Sequence, residues 1–274
     1  MNDITLGQFF PGNSILHKID PRMKIILTAV FIVAVFMAKS LLALAILGLV
    51  AFLMPVIAKI SPKIVIKSLA PLKFVLVFMA VINVFWTKGE GDPLFGFWVI
   101  RVYTEGLLYA LFVIVRIVVL LVGTTVLLSY TTSPIALTDS LEQLLSPLKV
   151  IRVPVHDFAM MMTIALRFIP TLIDETNKIM SAQKARGVNF SEGGLMKRAK
   201  ALIPIFIPLF VSSIRRADEL AVAMECRCYR GDKGRTRMKV LKYGARDFIA
   251  LFLAVALTVG TFFVSKLAFG VIVG

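Results

Sequence analysis

Long runs without a single charge alternate with short polar stretches along this chain. Residues 25–38 (IILTAVFIVAVFMA) and 41–58 (LLALAILGLVAFLMPVIA) are two such runs, parted only by Lys39-Ser40. Each approaches the roughly 20 apolar residues that cross a bilayer as a helix, and together they predict a tight transmembrane hairpin. A third run covers 68–86, with Lys73 near its start. A fourth covers 106–129, with Arg116 near its middle, and a fifth covers 244–270. The pattern predicts an all-α polytopic membrane protein with about five transmembrane helices. Residues 1–132 form the N-terminal transmembrane part, 133–242 a separate domain, and 243–274 the last span.

The 133–242 stretch has a different period and is too long for a connecting loop. From about Asp157 to Arg186, apolar residues recur at three- and four-residue steps (Phe158, Met161, Met162, Ala165, Phe168, Ile169, Leu172), predicting an amphipathic helix. Asp157 fits as its N-cap, Pro170 as a kink and Gly187 as a left-handed C-cap. A second such pattern runs from about Ala201 to Tyr229, with Pro204 and Pro208 early in it and Gly231 placed to end it. The Ser191–Gly194 stretch links them, and Ser140–Leu145 reads as a shorter helix stopped by Pro147. Arg167, Asp174, Glu175 and Lys178 lie inside the first long pattern, and such charges are expensive in lipid. Two helices of about 30 residues, near 45 Å long, are therefore predicted at a membrane face or packed on each other.

Composition agrees with a membrane protein. The chain is 58% hydrophobic, with a mean hydropathy of +0.88. Its net charge of +15 would suggest nucleic acid in a soluble protein. Here most of the basic residues fall in the segments that five spans place on one side: before the first span, between the second and third, and throughout 133–242; the remaining loops hold Lys39, and Lys88 and Arg101 beside Glu90, Asp92 and Glu105. Basic loops face the cytoplasm, so the N-terminus and the 133–242 domain are predicted cytoplasmic and the C-terminus external. No nucleic-acid motif accompanies the charge. Met1 to Lys24 has no apolar core of a cleavable signal. Asp20-Pro21 starts the first span as N-cap and N1, and Pro11-Gly12 marks a turn before it.

Candidate chemistry is sparse. Cys226 and Cys228 read as reduced thiols, and with only His17 and His156 elsewhere they offer no metal site. His156 reads as a structural hydrogen-bonding group. Arg116 is an intramembrane charge, expected to face the bundle and pair with backbone carbonyls or a loop carboxylate. Met160, Met161 and Met162 fit an adaptable contact surface, core or lipid equally well. The chain lacks a phosphate-binding GxxxxGK[ST] loop, HExxH, GxSxG and paired carboxylates within spans, which leaves no sign of an enzyme. The sharpest feature is a repeated arrangement. Each long helical pattern ends on one arginine between two small residues: Ala185-Arg186-Gly187 and Cys226-Arg227-Cys228. A basic residue in a last turn is explained by the helix dipole alone, worth about 0.3–1 kcal/mol. Alternatively, small flanks let a helix end approach a partner closely, so that the arginine fork makes several charge-assisted bonds.

Four stretches in order, PGNSILHKIDPRMK (Pro11–Lys24), DSLEQLLSPLKVIRVPVHDFAMMMTIALRFIPTLIDE (Asp139–Glu175), AQKARG (Ala182–Gly187) and ECRCYRGDKGRTRMKVLKY (Glu225–Tyr243), resemble the transmembrane T component of energy-coupling factor (ECF) transporters, which are ABC-type importers of micronutrients. The resemblance implies a non-catalytic subunit. Its two long helices would dock in two cytoplasmic ATPases through Ala185, Arg186, Gly187 and Cys226, Arg227, Cys228, the second departing from the commoner Ala-Arg-Gly. It implies a substrate-binding S component as a further membrane partner and uptake of a vitamin or other micronutrient, in a prokaryotic plasma membrane. No cofactor would be bound directly, with ATP and Mg on the ATPases. The second motif and its GDKGRTR exit look more like the type shared among several S components. A stand-alone secondary transporter is the alternative, although no inverted repeat supports it.

Overall fold

The computed structural model describes residues 9–86, 95–97, 100–188, 190, 194–231, 241 and 243–267. The linker residues 191–193, the basic exit 232–240, Lys88 and the end of the fifth run (268–270) lie outside the described residues. Helices dominate: α1 (Pro21–Met37), α2 (Leu41–Ile57), α3 (Pro62–Leu69), α4 (Lys73–Trp86), α5 (Thr104–Thr124), α6 (Pro134–Leu144), α7 (Val155–Ala185), α8 (Leu195–Cys226) and α9 (Ala245–Leu267). A 3-10 turn, Ala70–Leu72, joins α3 to α4 around Pro71, and a π-helical stretch, Thr125–Tyr130, extends α5. One small departure from all-α is an antiparallel pair, β1 (Phe95–Phe97) with β2 (Ile100–Val102). The chain divides into two compact units, Met1–Ser140 with Val240–Gly274, and Leu141–Lys239.

The first unit is a helical bundle. Asp20 caps α1 by accepting the Arg22 N–H at 2.9 Å, with Pro21 at the first helical position. Packing of α1 and α2 on α5 and α9 buries Phe31, Val35, Leu44, Leu47, Phe112, Val119, Val122 and Tyr130. Small residues bring the backbones close, as expected between helices in lipid. At Gly123 on α5 a Cβ would lie 2.2 Å from the ring of Phe31 on α1. The outer faces carry exposed Phe36, Leu49, Phe52, Phe74, Phe78, Phe85, Phe252 and Phe263, a surface suited to lipid.

Hydrogen bonds fix the helix directions. Lys24 Nζ, in the first turn of α1, donates to the Thr131 carbonyl just beyond α5 at 2.7 Å. The Asp20 N–H donates to Asp247 in the first turn of α9 at 2.9 Å. At the far end the Lys39 N–H donates to Ser265 Oγ at 3.0 Å. The starts of α1 and α9 and the end of α5 thus share one end of the bundle, which is the alternation five crossings require.

By length and composition, four described helices are able to cross a membrane: Pro62–Trp86, Thr104–Tyr130, α7 and α9. α1 and α2, 17 residues each, rise about 25 Å, a little short of the ~30 Å hydrocarbon core. Arg116 closes their hairpin. Its Nη2 donates to the Ala38 carbonyl at 2.6 Å, and its guanidinium lies 4.4 Å from the centre of the Phe112 ring. The mid-helix charge satisfies one of the carbonyls orphaned at the end of α1, where the dipole favours a cation.

Candidate functional site

The second unit is built on α7 and α8. The structure corrects their limits. α7 begins at Val155 after Pro154, so Asp157 lies inside the first turn rather than capping it, where a carboxylate still favours the dipole. α8 begins at Leu195, six residues before the apolar onset at Ala201, and carries Lys197, Arg198 and Lys200 in its opening turns. α6 begins at Pro134, not Ser140, because Ser133 caps it: its Oγ accepts the Ala136 N–H at 3.3 Å. His156 Nδ1 lies 2.9 Å from Glu142 Oε1, tying the start of α7 to α6. Met161 and Met162 are exposed, which excludes them from the core, and much of the α8 apolar surface is exposed as well (Ile203, Phe206, Ile207, Phe210).

α7 and α8 pack on each other. Arg216 on α8 forms an ion pair with Glu175 on α7, 41 residues away in sequence. Both side chains keep solvent contact, so the pair contributes up to about 1 kcal/mol and mainly sets register. Arg186 and Arg227 are separated by the same interval. The ion pair therefore joins equivalent positions of two similar helices, each running about ten further residues, or ~15 Å, to its arginine. Ile164, Phe168 and Leu172 of α7 face Ala217, Leu220 and Met224 of α8 across an apolar cleft of about 300 Å³.

The two helix ends have the same backbone design. Ala185 is the last residue of α7, Arg186 its C-cap, and Gly187 takes φ +87°. The Gly187 N–H bonds the Lys184 carbonyl at 2.9 Å and the Val188 N–H bonds the Gln183 carbonyl at 3.1 Å, the pair of bonds of a Schellman motif. Cys226 is the last residue of α8, Arg227 its C-cap, and Cys228 takes φ +57°. The Cys228 N–H bonds the Glu225 carbonyl at 2.8 Å and the Tyr229 N–H bonds the Met224 carbonyl at 3.1 Å. All six residues are exposed. The cysteines are free thiols. Gly231 also has positive φ but does not end the helix; Cys228 does. The small flanks thus have two roles. The first is the final helical residue and the third is the left-handed residue that turns the chain away, leaving the arginine at the tip.

A β-carbon in the left-handed region costs about 1–2 kcal/mol, partly offset in a glycine by greater entropy loss on folding. Cys228→Gly is therefore expected to stabilise the end of α8 by about 0.5–1 kcal/mol. The check is slower amide exchange over the last turn of α8, with Cys226→Gly showing the opposite because position 226 is helical.

Residues 12–239 match the family model of CbiQ, described as a cobalt transport protein. That match takes in the segment before α1, the α1–α5 bundle and both arginine ends. The chain belongs to the CbiQ family. It is 50% identical over 257 residues to the energy-coupling factor transporter transmembrane protein EcfT of Clostridium kluyveri, covering 94% of this chain and 95% of the relative. It is 51% identical over 249 residues to the protein of the same description from Ruminiclostridium cellulolyticum (91% and 92% covered). With that from Bacillus subtilis it shares 41% over 263 residues (96% and 98%). Membership agrees with the apolar bundle: this is a membrane protein of a transporter family, and the relatives are named as transmembrane components.

Proposed function

We propose that this CbiQ-family chain is the energy-coupling transmembrane subunit of an ECF-type ABC importer. The observation that carries the reading is the pair of equivalent, exposed Schellman ends, each presenting one arginine between small residues and held in register by Glu175–Arg216. One such end is a serviceable helix stop; two alike, on two helices paired at equivalent positions, suit two copies or homologues of one partner. The partners are two cytoplasmic ATPases of the ABC type, which hold the ATP and Mg, while this chain holds neither and is not itself an enzyme. Residues 141–239 form the coupling domain on the cytoplasmic side of a prokaryotic plasma membrane, with the N-terminus on the same side. Motion of the ATPases passes through α7 and α8 to a membrane S component, which selects a vitamin or other micronutrient.

The test is transport in liposomes. Uptake is expected only when this chain, its host's ATPases and an S component are reconstituted together with ATP. Uptake by this chain alone under an ion gradient would instead establish a secondary transporter.

A further inference from the structure

The segment Pro11–Lys24 takes no part in the two arginine ends, yet hydrogen bonds tie it to residues beyond α5 and at the start of α9. We propose that the first turn of α1 is the fulcrum of coupling, with Lys24 and Asp247 as its positioning residues; the inference rests on the coupling function proposed above.

Two chain connections join the bundle to the second unit. The first follows Thr132 through α6 and passes into the second unit between Ser140 and Leu141. The second returns at Val240, ahead of Tyr243. Both are fastened to the same helical turn. On the first, Lys24 Nζ donates to the Thr131 carbonyl at 2.7 Å and to Thr132 Oγ1 at 3.2 Å, and the Phe10 N–H donates to the Tyr130 carbonyl at 3.1 Å. On the second, Asp247 accepts from the Asp20 N–H at 2.9 Å and from the Gly244 N–H at 2.7 Å, while the Arg22 guanidinium lies 3.9 Å from the centre of the Tyr243 ring. Asp20 and Arg22 are themselves joined by a two-bond ion pair, at 3.1 and 2.9 Å.

The segment upstream is folded on itself around His17. His17 Nε2 is 2.9 Å from the Phe10 carbonyl, which only accepts, so Nε2 carries a proton, and Nδ1 lies 2.7 Å from Ser14 Oγ. Gly12 packs so closely on the His17 ring that a Cβ would lie 2.8 Å from Cε1.

Lys24 is 1% exposed and Asp247 4% exposed. Buried charges are a poor route to stability, since well-packed apolar residues serve as well or better. Their distinctive return is a fixed geometry, and here that geometry holds the two routes by which movement of the second unit enters the bundle. The last stretch before the first connection is π-helical, a form that recurs where helices deform at functional positions. Displacement carried along either connection therefore reaches α1 at one turn, and α1 packs on both α5 and α9. Releasing the turn leaves the second unit free to move without moving the bundle, so ATP is hydrolysed without uptake.

The test uses the complete reconstituted complex and reads ATP hydrolysis and uptake separately. Lys24→Met keeps the aliphatic stem and removes the ammonium. It is expected to recruit the ATPases normally and leave hydrolysis within about twofold, while uptake per ATP falls about tenfold, the scale set by losing a charge-assisted bond. Thr132→Val removes one acceptor and is expected to lower the same ratio less; on top of Lys24→Met it is expected to add little, since only the long 3.4 Å bond from Thr132 Oγ1 to the Leu127 carbonyl is left to lose. Asp247→Asn is expected to lower the ratio through the second connection. An unchanged ratio in Lys24→Met, or hydrolysis and uptake falling in proportion, overturns the proposal. Should Lys24→Met fail to accumulate, Thr132→Val decides: a lowered ratio supports the fulcrum and a wild-type ratio overturns it. A wild-type chain that recruits no ATPase contradicts the coupling function itself, which separates that failure from this one.

Discussion

Replacing Arg186 and Arg227 together is expected to abolish recovery of ATPases with this chain while leaving its fold intact. Buried arginines in interfaces typically cost on the order of 2 kcal/mol or more on truncation. Two such losses amount to about 4 kcal/mol, or near a thousandfold in affinity. The competing explanation, that each arginine merely complements a helix dipole, predicts a loss of at most about 1 kcal/mol in helix stability and none in binding. Both ends are exposed and their caps are made by backbone bonds, so neither side chain is needed to close its helix. Glutamine at both positions removes the charge-assisted forks without adding repulsion, and glutamate adds a charge the dipole disfavours. The two pairs of variants should therefore lose the ATPases alike and differ slightly in thermal stability. Retention of the ATPases by the double glutamine variant would leave the dipole explanation standing. Single variants that each lose a different ATPase would assign the ends.

The second large effect is expected inside the helical bundle of the first unit. Gly123→Val should prevent the bundle from closing. Even the first added carbon meets Phe31 Cε1 at 2.2 Å and Cζ at 2.6 Å. The ring has little room to retreat, because Phe31 is 4% exposed and sits in the main core cluster. Overpacking of this kind costs about 1–3 kcal/mol, and a branched side chain lies at the upper end or beyond. Gly123→Ala should fall between wild type and valine in yield and in unfolding midpoint in detergent. Phe31→Leu, harmful alone, should recover part of the Gly123→Ala loss, since the two changes meet in one volume. Additive losses would mean that α1 and α5 do not touch there.

What the sequence discloses and what it conceals divide by range. The spans are legible because the absence of charge over 20 residues is a local property, and Asp20-Pro21 is legible as a helix start for the same reason. Gly187 announces a left-handed residue. Cys228 does not, since nothing in a cysteine signals positive φ, and the neighbouring Gly231 is the more obvious stop. The start of α8 is concealed by Lys197, Arg198 and Lys200, which the dipole disfavours at a helix N-terminus. The start of α6 at Ser133-Pro134 is concealed by the stronger amphipathic signal at Ser140–Leu145. That Arg116 pairs with a backbone carbonyl is expected of an intramembrane charge, but which carbonyl is not legible, because Ala38 is 78 residues away. The same holds for Lys24 with Thr131, 107 residues apart, and Asp20 with Asp247, 227 apart. At the candidate site, the two arginines and their small flanks are visible as a repeated phrase. The shared Schellman geometry and the Glu175–Arg216 pairing that relates the two helices emerge only in three dimensions.

Whether these two helix ends sit against ATPases is directly measurable through a native pair of thiols. Cys226 and Cys228 flank Arg227 and are exposed in the isolated chain. In the assembled complex, a short thiol-anchored photo-crosslinker on them is predicted to capture one ATPase subunit. With Cys226→Ser and Cys228→Ser in place and Ala185→Cys added, the same reagent is predicted to capture an ATPase from the other end. Capture of only lipid or of other parts of this chain from both ends, in a complex that still hydrolyses ATP, would contradict the account.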